Sequence, residues 1–319
     1  AHHLLTEGHE VRALVRPSSD ASYLTGVGAQ LVQGDVTDSV DQLADSIGGC
    51  SHIVHGAALV YSGCGWEAIA EVNVEGTDRV LSAAAAAGVE QAVHISSVAV
   101  YGNQSVKPDE DQPLSLTVAD GDFYARSKRE AECVARRVER DSGLTVTVVR
   151  PSAVYGERDR LMAPALAHIL RLPLVPLFGT ADNTLPVVYA GNVAVAIRLA
   201  LESSPGGGTY DLGMDYPLTQ RALFQLQAAG MGLRPRFLRV PGGLVEGSAR
   251  ILTRLGFGTP GAKHLPLDRV ARLALEENPY ASRRAHSQLS WNPPHRHADA
   301  LERTGRWLMG GPDDTQEST

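Results

Sequence analysis

The chain has 319 residues, 43% of them hydrophobic and 20% charged, with a formal net charge of -7. That length buries a substantial core, and the mixing of acidic with basic residues lacks the concentrated basic face of a nucleic-acid binder. The three cysteines (Cys50, Cys64, Cys133) show no metal-ligand spacing, no histidine pair is spaced H-x-x-x-H, and no apolar run reaches membrane-span length, so a cytoplasmic protein without metal, nucleic-acid partner or membrane span is expected.

In chain order, residues 1–8 read as the end of a helix stopped by Gly8, and the sequence opens without Met, which suggests a segment ahead of Ala1. Strands are predicted at 10–15, 30–33, 51–55, 91–96 and 144–149, each short and Val- or Leu-rich. Helices are predicted at 36–47, 66–87 and 122–141, with Gly48, Gly88 and Gly143 as stops. This alternation is βαβ repetition, a parallel sheet covered on both faces. Ligands of such sheets bind beyond the carboxyl ends of the strands. Arg16, Asp35, Ala57, Ala58, Ser97, Pro151 and Ser152 all follow strand ends and are expected on one rim.

After Gly156 the pattern loosens. A helix is predicted at 160–170, strands returning to the sheet at 185–189 and 209–212, and a helix between them at 192–202. The stretch 172–178 carries two prolines and is excluded as a central strand. Residues 218–308 read as mainly helical. The expected organisation is a dinucleotide-binding domain over 1–156 and 186–212, a substrate lobe over 157–185 and 213–308, and a disordered tail at 309–319.

Tyr124-Ala125-Arg126-Ser127-Lys128 is the chemically richest segment, with Ser96-Ser97 upstream at a strand end. Tyr and Lys four apart on a helix share one face. A phenol titrates near pH ~10, and an adjacent ammonium lowers that value, giving a group able to move a proton at neutral pH. Alone, the spacing is weak.

Taken together, Gly34-Asp35-Val36-Thr37-Asp38, His55-Gly56-Ala57-Ala58, Asn73-Val74-Glu75-Gly76-Thr77, Ser96-Ser97-Val98-Ala99-Val100-Tyr101-Gly102, Tyr124-x-x-x-Lys128 and Arg150-Pro151-Ser152-Ala153-Val154-Tyr155-Gly156 resemble the extended short-chain dehydrogenase/reductases. Val188-Tyr189-Ala190-Gly191-Asn192-Val193-Ala194 is most similar to the 3β-hydroxysteroid dehydrogenase-like branch, beside the dihydroflavonol reductases. The segment 282–293 resembles the closing motif of the wider epimerase/reductase group. The resemblance implies a Rossmann-type doubly wound α/β fold with a smaller, mainly helical lobe. The family's first strand and glycine-rich turn have no counterpart here. A segment of roughly fifteen to twenty residues is therefore expected before Ala1, without which dinucleotide binding is expected to be poor.

By the resemblance, Tyr124 is the general acid/base, Lys128 holds the nicotinamide ribose and lowers the phenol pKa, and Ser97 orients the substrate oxygen. Ser97 is preferred over Ser96 because it lies four residues before Tyr101. Asn73 is either a catalytic support or a helix-packing asparagine. Asp35 lies near the adenine or merely caps the next helix. Val36, Ala57, Ala58, Pro151, Ser152 and Val154 complete the implied cofactor contacts. Arg16, with Ser18 and Ser19 beside it, favours the 2′-phosphate of NADP(H) over NAD, unless it lies on the adenine face and serves both.

The family's sugar dehydratases carry an Asp-Glu pair after the catalytic hydroxyl, and here those places hold Val98 and Ala99. Its epimerases keep an arginine before the strand at 187–189, where this chain has Thr184-Leu185-Pro186. An NAD(P)-dependent alcohol/ketone oxidoreductase acting on a hydrophobic, sterol-like or polycyclic small molecule is the expected function. A nucleotide-sugar epimerase and a non-catalytic dinucleotide sensor are the alternatives. Homodimerisation through the helices bearing residues 83–87 and 124–140 is also expected.

Overall fold

The computed structural model describes residues 1–60, 64–102, 118, 121–204, 206–245, 247–248, 258–259, 262–266, 271 and 274–310. Of the expected tail only 309–310 falls among them. The chain forms two compact units: Ala1–Pro151 with Val193–Leu212 and Ser282–Asn292, and Ser152–Asn192 with Gly213–Ala281 and Pro293–Thr319. These bounds differ from the expected ones. Residues 152–156 and 186–192 fall in the second unit, and the segment 282–292 in the first.

In the first unit, helix α1 (His2–Thr6) leads into β1 (Arg12–Val15), which pairs in parallel with β2 (Gln30–Gln33) across α2 (Ser22–Gly26). Helix α3 (Val40–Ile47) starts later than residue 36, because Ser39 closes a capping box: its hydroxyl accepts from the Gln42 amide while the Gln42 side chain accepts from the Ser39 amide. A four-stranded parallel sheet follows, in the order β3 (His52–His55), β4 (Gln91–Ile95), β5 (Thr145–Pro151), then β9 (Gly208–Leu212) from later in the chain. The β3–β4 crossover comprises α4 (Trp66–Ala70), a π-helical turn (Glu71–Glu75) and α5 (Gly76–Ala86); α6 (Phe123–Ser142) joins β4 to β5. The fold is therefore α/β and Rossmann-like, as the βαβ pattern implied.

The core explains which residues occupy the strands. Ala92, Val93, Val146 and Val148 on β4 and β5 are buried, as continuous apolar strands of a covered parallel sheet must be. Ala83 and Ala84 of α5 are fully buried in the same unit, so part of the alanine run is spent on packing within the protomer. Leu14, Leu31 and Val54, on β1, β2 and β3, stay more than a third exposed, and no ladder joins β1–β2 to β3.

The second unit holds β6 (Ala153–Tyr155) parallel to β8 (Val187–Tyr189), and β7 (Val175–Phe178) parallel to β10 (Phe237–Val240). Strand β8 thus pairs with β6 rather than returning to the main sheet; only β9 does so. Of the segment 172–178 only β7 is a strand, and in a two-stranded sheet it is an edge strand rather than a central one, where Pro176 is tolerated. A short antiparallel pair, β11 (Gly258–Thr259) and β12 (Ala262–Pro266), was not foreseen. Helices α7 (Met162–Leu170), α9 (Gln220–Gly230) and α11 (His297–Leu308) cover the core of this unit; α8 (Ala190–Glu202) follows β8, and α10 (Arg283–Gln288) belongs to the first unit.

Helices α9 and α11 approach through two glycines. A Cβ on Gly230 would overlap the Glu302 carbonyl oxygen, and one on Gly305 would lie 2.6 Å from the Gln227 oxygen. Neither neighbour is a movable side-chain tip. Gly305→Ala is expected to destabilise by about 1–3 kcal/mol, whereas Gly243→Ala, with no atom within 4 Å of the added carbon, stays near neutral; urea denaturation of the two variants checks both.

Candidate functional site

Helix α6 is capped by Asp122, whose carboxylate accepts from the Ala125 amide, and ends at Gly143 in the left-handed conformation. This fixes Tyr124 in its first turn, Lys128 one turn on and Glu132 a turn beyond, a single stripe along the helix. Tyr124 is half-buried, while Lys128 and Glu132 are buried.

The stripe lies against the end of β4. The Lys128 ammonium donates to the Ile95 carbonyl at 2.8 Å. Burial brings the Lys128 pKa down to about 8, and the charge of Glu132 works in the opposite direction. At neutral pH the ammonium form still predominates, with two further N–H donors beyond the one given to Ile95.

Beyond Ile95 the two serines part company. Ser96 is buried, its amide donates to Val149 O at 2.8 Å, and its hydroxyl donates to Glu132. Ser97 is partly exposed, in extended backbone, and caps the 3-10 turn Val98–Tyr101 by accepting from the Ala99 amide at 3.1 Å. Its own hydroxyl proton has no acceptor among the described residues. The structure therefore leaves Ser97, and not Ser96, with a hydrogen bond to give.

Asn73 sits in the π-helical turn, where the extra residue per turn swings its side chain out of helical phase. Its amide oxygen accepts from Leu59 N at 2.7 Å, and its amide nitrogen donates to Leu59 O (3.0 Å) and Ser127 Oγ (2.9 Å). Ser127 in turn donates to Tyr124 O at 2.8 Å. Asn73 thus ties the loop bearing Ala57 and Ala58 to the first turns of α6.

Beneath this lie two stacked rings, His55 on β3 and His94 on β4, with centroids 5.5 Å apart. His55 shares a hydrogen bond with Thr77 Oγ1 at 3.0 Å, whereas neither His94 nitrogen has a partner among the described residues. Burial first, and the Lys128 charge second, push His55 down to about 3. Burial, then His55, Lys128 and Arg136, hold His94 well below the ordinary imidazole range.

The remaining expected residues are more dispersed. Arg16 follows β1, exposed and without an ion pair among the described residues. Asp35, after β2, closes a turn of its own: its carboxylate accepts from Thr37 N and Thr37 Oγ1, each at 3.0 Å, while Ser39 does the helix capping. Val36 packs on Gly76, where an added Cβ would meet Val36 Cγ2 at 3.0 Å. Ala57 and Ala58 follow β3, exposed and half-exposed respectively. Pro151 ends β5 in the first unit; Ser152 and Val154 lie in the second. No group of three or more metal-ligating side chains occurs among the described residues, and no helix there is long and apolar enough to cross a membrane.

Two buried groups at this site escaped the sequence reading, Glu132 and Arg150. Arg150 Nε and Nη2 donate to the two Glu132 oxygens at 2.9 and 2.7 Å, and its third nitrogen donates to Tyr101 Oη at 2.7 Å, which donates on to Asp211 at 2.7 Å. Burial opposes the Arg150 charge, but Glu132 overcomes this and holds it above its ordinary value. The available signals were the eight-residue step from Tyr124 to Glu132 and a charged residue ending a Val-rich strand.

The NAD dependent epimerase/dehydratase family matches residues 1–213. The chain belongs to that family. It is 29% identical, over 75% of its length and 71% of the relative's, to a 4-hydroxy-2-methyl-3-oxo-4-farnesyl-3,4-dihydroquinoline-1-oxide ketoreductase of Stigmatella aurantiaca. It is 27% identical to a 3 beta-hydroxysteroid dehydrogenase/Delta 5-->4-isomerase of Mycobacterium tuberculosis, over 91% of this chain and 81% of that one. Among solved structures, DesIV, a dTDP-glucose 4,6-dehydratase of Streptomyces venezuelae with NAD bound, superposes with a TM-score of 0.71 at 26% identity, covering 97% and 92% of the two chains.

The two buried imidazoles make a pH test. They stay neutral in the native protein, whereas in the unfolded chain they take up protons below about pH 6.5, so stability falls as pH drops through that value. Each ring contributes a slope of up to about 1.4 kcal/mol per pH unit. Urea denaturation between about pH 5 and 6.5 is expected to show a slope near twice that, and His94→Leu to halve it.

Proposed function

We propose that this protein is an NADP(H)-dependent oxidoreductase that interconverts a ketone and a secondary alcohol on a hydrophobic small molecule, in a cytoplasmic setting. The observation that carries the reading is the buried Lys128 ammonium seated at the end of β4, on the stripe that bears Tyr124, with Ser97 rather than Ser96 keeping a donor to spare just beyond that strand.

The residues present fit a nicotinamide dinucleotide. A cation (Arg16), a carboxylate (Asp35), an exposed small-residue turn (Ala57, Ala58) and the Lys128 ammonium follow or abut the carboxyl ends of parallel strands. Bound, such a cofactor supplies the hydride exchanged with the carbonyl carbon. The protein handles the proton. In the reducing direction the Tyr124 phenol gives its proton to the carbonyl oxygen, the Lys128 ammonium stabilises the resulting phenolate, and Ser97 donates a hydrogen bond to the same oxygen. Asn73 holds the backbone around these groups. Arg16 supplies the positive charge for a 2′-phosphate, and Val36 and Pro151 complete the proposed cofactor contacts.

The reaction class follows from what is missing beside Ser97. Dehydration needs a base for a carbon-bound proton, and Val98 and Ala99 are buried apolar residues instead. The ketoreductase and steroid dehydrogenase relatives support a ketone or secondary alcohol on an apolar framework.

Tyr124→Phe is expected to lower turnover by about 10²–10⁴-fold with folding unchanged by circular dichroism. NADPH is expected to outperform NADH, and Arg16→Asp to weaken NADPH use by about tenfold or more, the size of one charge-assisted contact. A panel of polycyclic ketones and nucleotide sugars, followed by cofactor absorbance and by sugar analysis, separates the readings. Turnover of the sugars alone, or Tyr124→Phe at full activity, overturns the proposal.

A further inference from the structure

The first unit contains an ionic network that the proposed proton transfer does not itself use. Glu132 is about 95% buried, yet both its oxygens are filled: one accepts from Ser96 Oγ and Arg150 Nε, the other from Arg150 Nη2. Two strands meet at this carboxylate, through Ser96 and Arg150, and a third joins behind Arg150. Ser96 is the immediate neighbour of Ser97 after β4, Arg150 precedes the end of β5, and Asp211, on β9, is the register partner of Arg150 and accepts from Tyr101. Glu132 itself rides on α6 one turn beyond Lys128.

We propose that Glu132 is a positioning residue that keeps Lys128 charged at working pH and locks the backbone carrying Ser97, so that one buried carboxylate sets both members of the proton-handling group. The proposal rests on the reading of Tyr124, Lys128 and Ser97 given above and extends it.

The argument is one of charge and space. Burying an ammonium drives it towards neutrality, and a neutral amine stabilises no phenolate. The ionisable groups acting around Lys128 are His55 from β3, His94 from β4, and Tyr124 and Glu132 from its own helix, with Arg150, Tyr101 and Asp211 linked behind Glu132. The two imidazoles are neutral and offer no counter-charge. Among these groups Glu132 carries the charge that favours the ammonium against burial, beside the hydrogen bond to the Ile95 carbonyl. Arg150 does not spend that charge for nothing: its two-pronged grip fixes the carboxylate plane, leaving Oε1 to receive Ser96. Were Ser96 to lose that acceptor, the peptide leading into Ser97 would lose its one side-chain anchor among the described residues.

The chain has only three lysines, Lys107, Lys128 and Lys263, so their side-chain signals can be resolved and followed by NMR. With 13C-labelled lysine, assigned by the signal missing in Lys128→Met, wild-type Lys128 is expected to titrate near pH 8. In Glu132→Gln it is expected to titrate lower by about one pH unit, the low end of a near-charge effect. Breaking a buried pair is strongly destabilising, whereas replacing both partners with apolar residues is often tolerated, so Glu132→Leu/Arg150→Met provides a folded alternative. The same downward shift is expected there, because it comes from the lost carboxylate. The alkaline limb of the reductase pH profile is expected to move with it in either variant. A Lys128 titration unchanged in both variants overturns the proposal. Absence of ketone reduction by the wild-type protein overturns the proposed function, while the titration still decides the role of Glu132.

Discussion

A charge removed from water must be answered by another, and around the end of β4 that requirement organises the first unit. Lys128 and Arg150 are buried cations; Glu132 and Asp211 are buried anions. Arg150 alone touches Glu132 and Tyr101 by hydrogen bonds and lies 3.7 Å from Asp211. Such pairs rarely add stability over a well-packed apolar core, because desolvation consumes most of the Coulombic gain. What they do is punish alternatives: any register in which β4, β5, β9 and α6 failed to meet would strand at least one charge. The network thus specifies the arrangement in which the Tyr124–Lys128 stripe lies along the strand ends.

Neutral polar groups reinforce the same arrangement at smaller cost. Asn73 spends both its oxygen and its nitrogen on the Leu59 backbone and still reaches Ser127, and Thr77 connects the Asn73 carbonyl to His55. A regular α-helix through 66–87 would put its residues in a different angular phase. The π-helical turn at Glu71–Glu75 is the local adjustment that lets one asparagine serve loop and helix together.

Much of the first unit was legible in the sequence because its signals are local. Short Val-rich runs between helices of crossover length leave few choices but a parallel sheet, and Gly48, Gly88 and Gly143 punctuate them where expected. The candidate site was legible as motifs, yet its supports were not. Nothing in the linear pattern links Glu132 to Arg150 or Ser96, since those contacts depend on two separate strands meeting one helix. The second unit read poorly for a related reason. Strands β6 and β8 are three residues each, and β7 carries a proline, so periodicity has too few positions to register. The close α9–α11 crossing likewise depends on Gly230 and Gly305, which in sequence look like helix terminators rather than contact points.

The Ser96-Ser97 pair shows two adjacent hydroxyls with different partners. Two adjacent hydroxyls at the end of one strand point to opposite sides of the backbone, because alternation has a period of two. One meets the buried carboxylate and becomes part of the frame. The other meets the first amide of the 3-10 turn, accepts from it, and keeps its proton for something outside the described residues. Val98 and Ala99 then close that turn with buried apolar side chains, so the strand end presents a hydroxyl donor and no second acid. On the proposed reading, such a site steadies an oxygen and, with Tyr124, protonates it. Val98 and Ala99 offer no group to strip a proton from carbon, which supports the proposed carbonyl chemistry over elimination.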